Sequence, residues 1–156
     1  DYRATVVVPA PGGGRKLHDY ANLYFCPRNP MMLKRSGVRE QLCVLRVSSD
    51  VIDIPGAIAT DANAGSKYTK NFKPLPDGLS VVDYDRTFAD DWRHPGNQIE
   101  FWRHSSAKCA EVLVPNVVPV KHITGAYVCS ETAQASLEAA ANGLAVFVNK
   151  DMFFLK

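Results

Sequence analysis

Apolar residues in this chain fall in short runs separated by glycine, proline and polar clusters, a spacing that predicts brief strands with scattered helices. The first run, Thr5-Val6-Val7-Val8, stops at a turn-rich loop, Pro9-Ala10-Pro11-Gly12-Gly13-Gly14. Residues 20–26 alternate as a strand, with Ala21, Leu23 and Phe25 on one face and Asn22, Tyr24 and Cys26 on the other. Asn29 followed by Pro30 is an N-cap and first-turn pair, which predicts a short helix ending at Gly37. Residues 41–47 read as another strand. Residues 58–66 read as a strand end running into a small-residue loop, either a plain connector or a wall where a ligand approaches backbone closely. Asp83 predicts the cap of a helix reaching about Trp92, with Phe88 and Trp92 on its inner face. Residues 93–108 read as a long polar loop, and such loops in compact domains are functional or disordered. Residues 122–129 are strand-like, Ser130 caps an alanine-rich helix ending at Asn142-Gly143, and residues 144–148 and 152–155 close the chain as two short strands. Without repeats, linkers or regular βαβ units, the pattern predicts a single α+β domain over 1–156.

One run stands apart. Cys109-Ala110-Glu111-Val112-Leu113-Val114-Pro115 reads as a strand that is apolar on both faces and ended by proline, with one carboxylate at its start. Glu111 and Leu113 share one face, while Ala110, Val112 and Val114 share the other. A carboxylate entering a buried strand is paired, solvated or functional, because an unpaired buried charge is expensive. The basic residues ahead of it leave two readings open, a strand-edge ion pair or a working acid.

Composition adds exclusions. The chain has 156 residues, 46% hydrophobic and 22% charged, ordinary for a soluble globular domain. The net charge of +2 is too small to imply nucleic acid by itself. No run is long enough to span a membrane and no signal pattern opens the chain, so a cytoplasmic protein is expected. Cys26, Cys43, Cys109 and Cys129 are widely spaced and read as reduced core thiols. Neither they nor His18, His94, His104 and His122 show metal-ligand spacing, so no metal is expected. Gly14-Arg15-Lys16 lacks the spacing and hydroxyl of a phosphate loop. Arg28 sits just ahead of a helix N-terminus, a place suited to an anion such as a pyrophosphate, or is an ordinary surface arginine. Lys67, Lys70 and Lys73 interleave with Tyr68 and Phe72, which suits single-stranded nucleic acid or a solvated lysine face.

A family resemblance runs through these segments in order. Residues 17–32, Leu-His-Asp-Tyr-Ala-Asn-Leu-Tyr-Phe-Cys-Pro-Arg-Asn-Pro-Met-Met, resemble the signature of the DarT family of toxins, which transfer ADP-ribose from NAD to bases in DNA. Thr60-Asp61-Ala62-Asn63-Ala64 is similar to the family's T/S-D-G-N-A loop, with alanine at the usual glycine. Val82-Asp83-Tyr84-Asp85 with Trp92 resembles the next block, and Ala110-Glu111-Val112-Leu113-Val114-Pro115 resembles the strand that carries the catalytic glutamate.

The resemblance implies an ADP-ribosyltransferase fold, with two small mixed or antiparallel sheets around an NAD cleft and flanking helices. It implies Glu111 and Arg28 as catalytic residues, and Arg28, Asn22 and Tyr24 as contacts to NAD, the co-substrate. Residues 93–108 would present the acceptor base, with Arg93, His94, Trp102, Arg103, Lys108 and Lys70 on DNA. The expected acceptor is thymine or guanine in single-stranded DNA, and the expected partner a DarG-like macrodomain antitoxin. Transfer to RNA or protein, or a non-catalytic binding module on a decayed transferase fold, are the alternatives. The family's N-terminal segment supplies a histidine at the nicotinamide end. None of the four histidines matches it, so that part of the domain is expected to lie ahead of Asp1.

Overall fold

A computed structural model of the chain describes residues 2–9 and 14–155. In chain order its strands and helices are β1 (Val7–Val8), β2 (Arg15–Lys16), β3 (Tyr20–Tyr24), α1 (Pro30–Lys34), β4 (Val44–Val47), β5 (Ile58–Thr60), β6 (Phe72–Pro74), α2 (Tyr84–Phe88), α3 (Gln98–Ala107), β7 (Glu111–Pro115), β8 (Ile123–Val128), α4 (Glu131–Ala140) and β9 (Val146–Val148). Short 3-10 turns link them. The chain divides into two compact units, Asp1–Cys26 with Asp50–Val118, and Pro27–Ser49 with Pro119–Lys156.

The first unit is built on an antiparallel sheet in the order β3-β7-β5-β6, with β1 and β2 as a separate two-stranded ribbon. β7 lies inside that sheet, paired with β3 from Tyr24↔Glu111 to Tyr20↔Pro115 and with β5 at Ile58↔Leu113. An interior strand covered on both faces must be apolar throughout, and Val112, Leu113 and Val114 are buried as the run predicted. Val8, Leu17, Tyr20, Ile58, Ala64 and Leu113 form its core cluster. Glu111 shares the Leu113 face, so the carboxylate enters the sheet beside this core.

The second unit holds a three-stranded sheet ordered β4-β8-β9, antiparallel on one side of β8 and parallel on the other. α4 makes the crossover between the parallel strands, packing Ala133 and Leu137 on Val128 and Val146. The α+β class and the pair of small antiparallel and mixed sheets therefore match the reading of the sequence.

Local hydrogen bonds set the helix starts as expected. Asn29 accepts from the Met31 and Met32 amides, Asp83 from Arg86, and Ser130 from Ala133. Elsewhere the structure departs from the pattern. α1 ends at Lys34, and Gly37 falls inside a following 3-10 stretch, Ser36–Gln41, so β4 is confined to Val44–Val47. Residues 5–8 give only the two-residue β1, because a 3-10 turn takes up Tyr2–Thr5. The glycine-rich loop falls on residues 10–13, outside the described residues.

α2 stops at Phe88, whose ring is exposed and stacks on Tyr84, while Trp92 is buried from beyond the helix. Residues 98–107 are helix rather than loop. Asn97 caps the Glu100 amide, and the buried face is His104, Ser106 and Ala107 while Ile99 and Trp102 stay outside. A helix that buries polar and small residues shows no apolar period, which is why the segment read as a loop. Residues 152–155 are not a strand: a 3-10 turn, Asp151–Phe153, ends at Phe154 in the left-handed region. None of the four cysteines is in a disulfide, with Cys26, Cys109 and Cys129 buried and Cys43 exposed ahead of β4.

Candidate active site

Glu111 is fully buried, and three residues satisfy its carboxylate. Arg3 Nη2 donates to Oε2 at 3.1 Å and Nη1 to Oε1 at 3.5 Å. Asn22 Nδ2 donates to Oε2 at 2.7 Å, and the Ala64 backbone N–H donates to Oε1 at 3.2 Å. The antiparallel register explains Asn22: it lies diagonally from Glu111 on the same sheet face, and Tyr24 lies directly opposite. Of the residues assigned from the sequence to catalysis and NAD, Asn22, Tyr24 and Glu111 are thus brought together on one sheet face. The strand-edge reading fails, since β7 is interior, but its ion pair exists in Arg3.

The loop after β5 is fixed to this carboxylate. Thr60, fully buried, accepts from the Glu111 N–H at 3.1 Å and donates its hydroxyl to Ala62 O at 2.6 Å. Asn63 accepts from Arg3 Nη1 at 3.3 Å and from the Gly65 N–H at 3.0 Å, while its own N–H donates to Ser106 O at 3.0 Å. The small residues of this loop bring the Ala64 amide against the Glu111 side chain. Arg3, Thr60 and Asn63 were missed as site residues. Thr60 and Asn63 lay in a segment already compared with a family block, whereas Arg3 carries no local signal, being 108 positions from its partner.

The residues chosen for DNA divide. Lys70 is exposed, and its N–H caps the Asp61 carboxylate, which also takes two bonds from Asn71. Arg93 is exposed, its guanidinium makes three hydrogen bonds to Asp91, and it holds that carboxyl far below the usual range. Trp102 and Arg103 stand on the open side of α3. His94 lines an open depression of about 500 Å³ with Arg93, Asn97 and Phe101.

Its ring is fixed by chemistry. His104 Nε2 meets Arg86 O at 3.1 Å, and a carbonyl only accepts, so that nitrogen carries the proton. His104 Nδ1 then accepts from His94 Nε2–H at 2.9 Å. Burial is the largest cause lowering the His104 pKa, with the neighbouring His94 adding to it.

Lys108 leaves the DNA set. It is 1% exposed, and its ammonium donates to Thr87 O at 2.9 Å and to Cys26 Sγ at 3.3 Å beside the Trp92 ring. A lysine so enclosed does not reach a phosphate. Arg28 belongs to the second unit, where Nε meets Asp151 and the guanidinium lies 4.4 Å from the Phe154 ring centroid. Among the described residues no three metal-ligating side chains converge.

The family model for DarT, described as an ssDNA thymidine ADP-ribosyltransferase, matches residues 1–154. The chain belongs to the DarT family. A DNA ADP-ribosyl transferase of Thermus aquaticus is 30% identical over 147 residues, covering 88% of this chain and 61% of that protein. A DNA ADP-ribosyl transferase–DNA ADP-ribosyl glycohydrolase fusion protein of Thermosipho africanus is 28% identical over 155 residues, covering 90% of this chain and 36% of that protein. The chain therefore spans less than two thirds of the length of these DarT relatives. Among solved structures, Thermus sp. 2.9 DarT in complex with NAD+ matches with a TM-score of 0.77 at 26% identity, over 98% of this chain and 81% of that one. The same DarT in complex with ADP-ribosylated ssDNA matches with a TM-score of 0.78 at 25% identity, over 97% and 76%. The ADP-ribosyltransferase fold implied by the sequence is thus that of the DarT structures. No helix among the described residues is long and apolar enough to cross a membrane.

Proposed function

We propose that the protein transfers ADP-ribose from NAD to a nucleobase of single-stranded DNA and releases nicotinamide. The observation that carries this reading is the buried Glu111 carboxylate, held by Arg3, Asn22 and the Ala64 amide in a chain of the DarT family.

Cleaving the ribose–nicotinamide bond develops positive charge on the sugar, as in glycoside cleavage. A carboxylate fixed before the reaction stabilises that charge without reorganising, and it accepts a hydrogen bond from the ribose 2′-hydroxyl. The bond from the anomeric carbon to nicotinamide breaks, a bond to a base nitrogen forms, and the base gives up one proton, for which Glu111 is the acceptor. Arg3 and Asn22 hold the Glu111 carboxylate aimed. Tyr24 shares its face and contacts the same substrate, and Arg28 contacts NAD. Lys70, Arg93, His94, Trp102 and Arg103 hold the DNA strand, through phosphate contacts and base stacking. The acceptor is thymine, in line with the family's description.

The reading treats residues 1–156 as one catalytic domain working in the cytoplasm. Its partner is a macrodomain glycohydrolase that removes the mark, supported by the fusion of the two activities in the Thermosipho relative.

The test incubates the protein with labelled NAD and thymine- or guanine-containing single strands, duplex DNA, RNA and protein. Label is expected on the thymine-containing single strand, and Glu111→Gln lowers it by about a hundredfold or more. Label on RNA or protein changes the acceptor. Label unaffected by Glu111→Gln, or none on any acceptor, refutes the proposal.

A further inference from the structure

Lys108 is the largest fully buried side chain among the described residues, and none of their ion pairs includes it. A buried ammonium is costly without a carboxylate. Here it is met by a carbonyl, an aromatic face and a thiol: Thr87 O at 2.9 Å, the Trp92 ring at 5.7 Å and Cys26 Sγ at 3.3 Å. Cys26 is itself 8% exposed and is not in a disulfide. The backbone holds the two side chains in register. Cys26 follows β3 and Lys108 precedes β7, and the Phe25 N–H continues the ladder to Ala110 O at 3.2 Å, beyond the Tyr24↔Glu111 pair. Nitrogen and sulfur therefore meet in a buried place. Their separation is that of a hydrogen bond, and a single bridging oxygen draws the two atoms closer.

We propose that Lys108 Nζ and Cys26 Sγ form a reversible covalent bridge through a single oxygen when the protein meets hydrogen peroxide. The Cys26 thiol releases its proton to water as its sulfur attacks one peroxide oxygen. The O–O bond breaks, and the departing hydroxide takes a proton from the ammonium and leaves as water. A sulfenic acid and a neutral amine then face each other. A second peroxide oxidises the amine to a hydroxylamine with release of water, and the hydroxylamine oxygen displaces hydroxide from the sulfenic sulfur. In sum, amine, thiol and two peroxides give the N–O–S bridge and three waters. Four thiols reverse it, becoming two disulfides as the bridge opens to the amine, the thiol and one water.

The bridge ties the ends of the two strands that carry Asn22 and Glu111, and it removes the ammonium from the Thr87 carbonyl. It is independent of the transfer reaction proposed above, and its readout is a mass rather than an activity. The protein is treated with hydrogen peroxide, the remaining thiols are blocked, and the digest is analysed by mass spectrometry. The expected product joins the Cys26 and Lys108 peptides with one added oxygen and two lost hydrogens, and reductant releases both unmodified. Lys108→Arg and Cys26→Ser abolish it, with circular dichroism showing that each is folded. If Lys108→Arg does not fold, acetylation of the untreated protein supplies the control, because a bridged Lys108 resists the reagent after unfolding. A Cys26–Cys109 disulfide, or Cys26 oxidised to sulfinic acid with Lys108 unmodified, overturns the proposal.

Discussion

The pairing of Arg3 with Glu111 makes a prediction whose size follows from the burial of its two ends. Arg3→Met removes the guanidinium but keeps an aliphatic stem of similar length, which matters because the Arg3 stem packs close to Gly65. Removing one partner of a buried pair costs about 3–5 kcal/mol, since the other charge is left uncompensated. Arg3 is 31% exposed, so solvent screens part of its interaction, and Asn22 and the Ala64 amide still hold the carboxylate. These two facts bring the expected loss to about 2–3 kcal/mol. In a Glu111→Gln background no buried charge is orphaned, and the same Arg3→Met change costs below about 1 kcal/mol. The coupling energy of the cycle is then about 2 kcal/mol. Urea unfolding followed by tryptophan fluorescence measures it, because Trp92 and Trp102 both lie in the unit that holds Arg3 and Glu111. A coupling below about 0.5 kcal/mol, the scatter of independent sites, would refute the claim that Arg3 neutralises this carboxylate.

Three further outcomes are expected. Thr60→Val leaves the buried Glu111 N–H without its acceptor and frees the loop at Ala62, so urea unfolding should show a loss of about 2–3 kcal/mol. Asn29→Ala removes the cap of α1 and costs about 1–2 kcal/mol, read as a lowered thermal midpoint. His104 has its pKa lowered in the folded state, so the unfolded chain takes up the proton first as pH falls. Stability is therefore full above the unfolded value of about 6.5 and declines below it, and a plot of thermal midpoint against pH should flatten over this range in His104→Gln.

What the sequence determined by itself was whatever depends on near neighbours. A cap is a bond between a side chain and an amide two or three residues on, so Asn29-Pro30, Asp83 and Ser130 announced their helices without knowledge of the fold. The β7 run announced a strand buried on both faces, and the carboxylate inside it announced a group in need of explanation. Family blocks then gave Glu111 its meaning. The tertiary structure decided what answers that carboxylate: Arg3 arrives from 108 positions away, and Asn22 and the Ala64 amide from two other segments.

The same logic explains the errors over residues 93–108. Polarity along the chain predicts exposure on average, yet His104 and Lys108 are buried because Arg86 O, His94, Thr87 O and Cys26 satisfy them from other segments. Local order is written in bonds between neighbours. Burial of a polar group is decided by partners that only the folded chain brings within reach.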